Sequence, residues 1–164
     1  MDTGFSGEFD GKVDSKGRMS IPADFRRVLE SGDPNWTPGS PVTLYLNYGD
    51  HLKDRLQVRT AKEHANIMTD IQAMPKGDKS RKMLTQLVIV QSERMSVDKD
   101  GRIVLPLKHR KKLGLDEGAL SFRGMVDHFE IWKDDVYETT VSESTADWLA
   151  EQPDDFDPLS LLGG

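Results

Sequence analysis

The sequence predicts an α+β protein in which two tandem copies of one small β-rich module are joined by intervening helices. Residues 13–29 align without a gap on residues 97–113: Val, Asp, Gly, Arg, Pro, Arg and Leu recur in register, and Met19/Ile103 and Ile21/Leu105 agree in type. Both copies carry Asp-x-x-Gly-Arg between short apolar runs, which is a tight-turn signal. Both then pass through Pro into a short basic stretch of helical character.

Taken in order, residues 5–59 are the first module, 60–92 a helical connection, 93–137 the second module and 138–164 an acidic tail. Val13 and Val97 precede turns in which Asp14 and Asp98 bond their own backbone, while Gly17 and Gly101 supply a positive φ. Met19-Ser20-Ile21 and Ile103-Val104-Leu105 suit short return strands. Pro22 and Pro106 end them and fit the first helical position, ahead of helices over 23–30 and 107–113. Ser31-Gly32 and Gly114 stop those helices. Val42-Thr43-Leu44-Tyr45-Leu46 and Leu56-Gln57-Val58 complete the first module; Ala119-Leu120-Ser121-Phe122 and Phe129-Glu130-Ile131-Trp132 complete the second. In the connection, Ala61, Ala65, Met68 and Ile71 fall at helical spacing over 60–74, and Pro75-Lys76-Gly77 breaks the pattern. A second helical pattern over 78–90 has Met83, Leu84, Leu87 and Val88 on one face. A helix near 144–151 and a mobile, Gly-ended tail close the chain.

With 164 residues and no cysteine, two half-length modules have no disulfide to staple them and need each other or a second subunit. The opening residues lack a secretory pattern and no apolar run is long enough for a membrane span, so a cytoplasmic protein with no membrane partner is expected. The net charge of −6 weighs against nucleic acid at face value. Its distribution reverses the argument, because nine acidic residues and no Lys or Arg lie from Asp134 to Gly164, which leaves +3 on Met1 to Lys133. His51, His64, His109 and His128 are scattered without metal-ligand spacing, and no phosphate loop or nucleophile elbow is present. No cofactor, metal site or enzymatic activity is expected.

Asp14-Ser15-Lys16-Gly17-Arg18 with Ile21-Pro22, repeated as Asp98-Lys99-Asp100-Gly101-Arg102 with Leu105-Pro106, resembles the MraZ family of bacterial transcriptional regulators, which carry two AbrB-type modules. Phe5-Ser6-Gly7-Glu8-Phe9 is similar to the start of that family, and the resemblance runs from about Phe5 to Tyr137. It implies AbrB-like swapped-hairpin modules paired within one chain as a pseudo-dimer. It also implies homo-oligomeric rings, double-stranded DNA as partner through short direct repeats upstream of the family's own gene, and regulation, usually repression, of the division and cell-wall gene cluster. Localisation at the nucleoid follows. The stretch 47–59 is longer and more polar than its counterpart in the second module, and the tail after Tyr137 has none.

Arg18 and Arg102 on exposed turns suit base reading, because a guanidinium grips a guanine edge with two hydrogen bonds. Lys12, Lys16 and Lys99 would anchor on phosphates, which carry no sequence information. Asp14, Gly17, Asp98 and Gly101 would support the turns. Arg26, Arg27, Lys108 and Arg110 are candidates for further phosphate contacts. Without the repeat, the same turn would be read as a solvated hairpin. A ring that binds other proteins without specific DNA binding is the competing function, and an AbrB-type antitoxin is disfavoured by the tandem copy.

Overall fold

The computed structural model describes residues 4–163, which divide into a compact unit ending at Asp134 and a second from Asp135. The first unit contains β1 (Glu8–Val13), β2 (Arg18–Ser20), α1 (Ala23–Ser31), β3 (Val42–Asn47) and β4 (Arg55–Thr60). The connection follows as α2 (Ala61–Gln72) and α3 (Lys79–Leu84), which widens into a π-helical turn over Thr85–Val90. The second copy then gives β5 (Ser92–Val97), β6 (Arg102–Val104), α4 (Leu107–Leu113), β7 (Gly118–Gly124) and β8 (Phe129–Lys133). Both copies therefore run strand, turn, strand, helix, strand, strand, as their sequences predict.

All eight strands form one antiparallel sheet in the order β5-β3-β4-β8-β7-β1-β2-β6. The strands at its two ends, β5 and β6, are consecutive in the chain and joined by the turn at 98–101, so the sheet nearly closes into a barrel. Its pairings cross between the copies: β1 lies on β7 from Glu8↔Arg123 to Val13↔Gly118, and β5 lies on β3 from Asn47↔Ser92 to Val42↔Val97. The return strands β2 and β6 pair with one another, as do β4 and β8. This is the interlocked, intrachain pseudo-dimer that the resemblance implies.

Side-chain alternation sets the register, since a one-residue slip would turn every buried residue outward. Leu44, Leu46, Leu56, Val58, Phe129 and Ile131 point into the barrel and are wholly buried. The α1 helix covers one end of this core with Phe25, Val28 and Leu29. Phe25 meets Phe5, Phe9 and Phe129 at ring-centroid distances of 5.5, 5.1 and 4.7 Å. The positions of the other copy that correspond to Phe9 and Phe25 are Glu93 and His109. There the aromatic contact is replaced by a hydrogen bond, His109 Nε2 to Glu93 Oε1 at 2.8 Å, beside the Tyr48 ring.

Two helix ends differ from expectation. Pro22 and Pro106 have ψ of 138° and 151° and so occupy the N-cap, one residue ahead of the first helical position. Gly114 ends α4 with φ 83°, as expected of a left-handed stop, but Gly32 ends α1 with φ −94°. Its glycine is required by packing, because a Cβ there would come within 2.5 Å of the Thr60 Cβ. Thr60 itself caps α2, its Oγ1 accepting from Glu63 N.

A buried carboxylate sits on β8. Glu130 accepts from Arg123 Nε and Trp132 Nε1 on Oε1 at 2.7 and 3.0 Å, and from Arg55 Nε on Oε2 at 3.2 Å. Burial pushes its pKa up, but the flanking His128, Arg123 and Trp132 donors and the Arg123 charge outweigh that and hold it at about 2.

The second unit continues from α5 (Asp134–Tyr137) through a π-helical turn at Glu138–Ser142 into α6 (Glu143–Ala150), close to the predicted helix. Trp148 meets Phe156 edge-on at 5.3 Å. Pro158–Gly163 forms a 3₁₀ turn where the sequence predicts a mobile tail, with Ser160 N bonded to Asp157 O. Among the described residues, no helix is long and apolar enough to cross a membrane.

Phe25→Ala should lower the unfolding free energy by about 3–5 kcal/mol, read from urea denaturation, because the aromatic cluster cannot collapse around the void. Glu130 has a depressed folded pKa, so its contribution is present above the ordinary carboxylate value of 4.5 and is lost as pH falls toward about 2. Glu130→Gln should be less stable at neutral pH, and its denaturation midpoint should fall less than that of the native chain across this window.

Candidate nucleic-acid interface

The two turns are built alike. Asp14 Oδ1 accepts from the Lys16 and Arg18 amides, both at 2.9 Å, and Gly17 N donates to Asp14 O. Asp98 Oδ1 accepts from the Asp100 and Arg102 amides in the same way, and Gly101 N donates to Asp98 O. These bonds, led by the Arg18 and Arg102 amides, hold both carboxyl groups below their ordinary pKa. Gly17 and Gly101 adopt φ of 85° and 81°, which L side chains rarely reach.

Each turn is tied to the other copy. Leu105 N donates to Gly17 O at 2.7 Å and Ile21 N to Gly101 O at 2.9 Å. Between these bonds β2 and β6 make a two-stranded ribbon with Arg18 opposite Val104, Met19 opposite Ile103 and Ser20 opposite Arg102. Met19 and Ile103 are buried, whereas Arg18, Ser20, Arg102 and Val104 are exposed on the outer face. The two arginines predicted as readers are thus brought together, diagonally, on one face. Both line a cleft of about 600 Å³ with Lys12, Asp10 and Asp14, and a smaller one of about 300 Å³ with Ser96 and Asp98. Lys16 and Lys99 stand exposed on the turns.

The four candidates on the helices separate. Arg27 is exposed and pairs with Asp24 on its own helix. Lys108 is exposed but lies 3.7 Å from Glu93, at the end of β5 remote from the turn, and over the Tyr48 ring. Arg110 is a correction: it is buried, and its guanidinium donates to Leu105 O, Ser15 O and Asp116 O at 3.0, 3.3 and 3.0 Å. With these donors turned onto carbonyls beneath the first turn, it is withdrawn from the phosphate-contacting set. Arg26 occupies the matched place under the second turn, its guanidinium packed so closely on Gly101 that a Cβ there would clash.

The cross-copy role of Arg26 and Arg110 is what the sequence reading missed. The available signal was that this Arg recurs at the same point of both helices while most of its neighbours change. Glu130 was also passed over, although a lone acid within an apolar strand is a sign of a buried partner. Among the described residues, no group of three or more His, Cys, Asp or Glu side chains could hold a metal ion.

Arg110→Ala should lower stability by about 1–3 kcal/mol, since buried carbonyls are left unsatisfied. A urea midpoint equal to that of the native chain would show that these bonds hold nothing.

Comparison with known proteins bears on this geometry. Residues 89–157 match the family model for MraZ protein, under a description that also likens the family to antitoxins. A protein of Ruegeria sp. (strain TM1040) named Transcriptional regulator MraZ is 46% identical over 160 residues, covering 98% of this chain and 95% of the relative. A protein of the same name from Cereibacter sphaeroides (strain KD131 / KCTC 12085) is 38% identical over 168 residues, covering 99% and 97%. Another, from Xanthomonas oryzae pv. oryzae (strain MAFF 311018), is 27% identical over 143 residues, covering 87% and 91%. With two turn signatures in register, an interlocked sheet and relatives alike over nearly their whole length, the chain belongs to the MraZ family.

Proposed function

We propose that this chain is a sequence-specific, DNA-binding transcriptional regulator that represses its own operon in the division and cell-wall gene cluster. It acts at the cytoplasmic nucleoid as a homo-oligomeric ring on short direct repeats upstream of its gene. The observation that carries this reading is the β2·β6 ribbon, which presents Arg18 and Arg102 on one exposed face. A two-stranded ribbon fits the major groove, which is about 12 Å wide. The family membership supports the regulatory role, since the relatives carry that name.

In this mechanism Arg18 and Arg102 meet base edges, and Lys12, Lys16 and Lys99 meet the flanking phosphates. Asp14, Gly17, Asp98 and Gly101 hold the turns that aim them. Arg27 and Lys108 remain as peripheral phosphate contacts. A three-residue ribbon has a small footprint, so affinity rests on several copies engaging several repeats; linked sites raise avidity by about 100 to 10,000-fold without new contacts.

The test is fluorescence anisotropy with a duplex from upstream of the gene and a scrambled duplex, at two salt concentrations, with oligomer mass followed by light scattering. The native chain should prefer the upstream duplex and weaken as salt rises. Arg18→Ala/Arg102→Ala should lose that preference while assembling normally. An intact native oligomer that ignores both duplexes would instead be a protein-binding scaffold.

A further inference from the structure

We infer that the two turns of the ribbon are not interchangeable: Arg18 is the residue that discriminates between bases, and Arg102, in place of the base-edge role given to it above, is an adaptable contact to the phosphate backbone. This rests on the DNA-binding reading above.

The difference lies in how each guanidinium is held. Asp14 divides its carboxylate between two tasks, Oδ1 on the turn amides and Oδ2 on Arg18 Nε at 2.7 Å. Gripped through Nε, Arg18 keeps its terminal nitrogens out of that bond, and those are the donors a guanine edge accepts as a pair. In the second turn Asp98 serves the amides, but Arg102 turns elsewhere: its Nη2 lies 3.5 Å from Asp100 Oδ2. A terminal nitrogen is thus already directed to a carboxylate, at a distance that marks a loose contact. Asp100 stands where the first turn has Lys16. The first turn carries Lys16 and Arg18 against one carboxylate, whereas the second carries Lys99 and Arg102 against two.

The support beneath the turns differs in the same direction. Arg110 bonds Ser15 O in the first turn and Leu105 O, whose amide in turn bonds Gly17 O. Arg26 beneath the second turn packs on Gly101, and its Nε is buried without a partner. Both turns share the carboxylate-to-amide bonds and one amide from the other copy, but only the first also has a guanidinium bonded to it from below and its arginine gripped through Nε. An arginine fixed before binding loses less rotamer freedom and keeps a single approach, which base discrimination requires. An arginine loosely associated with a neighbouring carboxylate exchanges it for phosphate at many geometries, and such a contact is blind to sequence.

The experiment compares Arg18→Ala, Arg102→Ala and Asp14→Asn against the native chain, each titrated with the upstream duplex and its scrambled counterpart over a salt series. The reported quantity is the ratio of the two affinities. Arg18→Ala should reduce that ratio by about tenfold or more, the loss of one bidentate base contact. Arg102→Ala should weaken both duplexes alike, preserve the ratio, and flatten the salt dependence by about one phosphate contact. Asp14→Asn keeps an oxygen for the turn amides but releases Arg18 Nε, so it should lower the ratio while the urea midpoint stays near that of the native chain. The inference is overturned if Arg102→Ala lowers the ratio as far as Arg18→Ala does, or if folded Asp14→Asn leaves it unchanged. A native chain with no preference between the duplexes overturns the regulator reading itself, which separates the two failures.

Discussion

The first strand of each repeat finds its hydrogen-bonding neighbour in the other repeat, β1 on β7 and β5 on β3, and the arrangement of the first unit depends on that exchange. An isolated copy would leave rows of N–H and C=O groups without partners and half a core open to water. The same rule extends to the turns, where Gly17 and Gly101 each accept an amide from the other copy. It extends again to the helices, whose Arg26 and Arg110 lie beneath the opposite turn. Protruding loops ordinarily belong to the least stable part of a protein. Here they are bonded to the strand-to-helix corners of the partner copy, which anchors the ribbon to the barrel that carries it.

The same surface lies on a chain of net charge −6. At physiological ionic strength a charge in water acts over about 8 Å. A ligand at the ribbon therefore feels Arg18, Arg102 and the nearby lysines against Asp10, Asp14, Asp98 and Asp100, rather than the net charge of the whole chain. Two of those carboxylates, Asp14 and Asp98, accept the turn amides, which reduces what they offer to a ligand. Burial works alongside: Glu130, buried on β8, is matched by Arg55 and Arg123.

Local chemistry made most elements legible. The Asp-x-x-Gly-Arg turns, the prolines that close the return strands and Gly114 as a helix stop each act within a few residues, so each can be read along the chain. Partner choice acts at long range and could not be read that way. A strand such as Glu8–Val13 has the same alternation whether it folds onto its own hairpin or onto Gly118–Gly124, and only the family resemblance pointed to the swap. The site divided in the same manner. The exposure of Arg18 and Arg102 could be read from their turns, whereas Arg110 looked like one more cation in a basic run, because one of the carbonyls it bonds, Ser15 O, is 95 residues away. Gly32 shows the converse: it ends α1 as read, but its glycine is set by contact with Thr60 and not by a left-handed turn.

The replacement of Phe9 and Phe25 by Glu93 and His109 shows what tandem fusion allows. In a dimer of single modules every substitution is mirrored across the axis, and both halves must tolerate it. Within one chain each half changes by itself, so the molecule has acquired a head and a tail. A mirrored protein cannot tell which way it lies along a duplex, and its natural target is a palindrome. A lopsided one has an orientation. Copies arranged head to tail around a ring would all face the same way, and the target that suits them is one written repeatedly in a single direction.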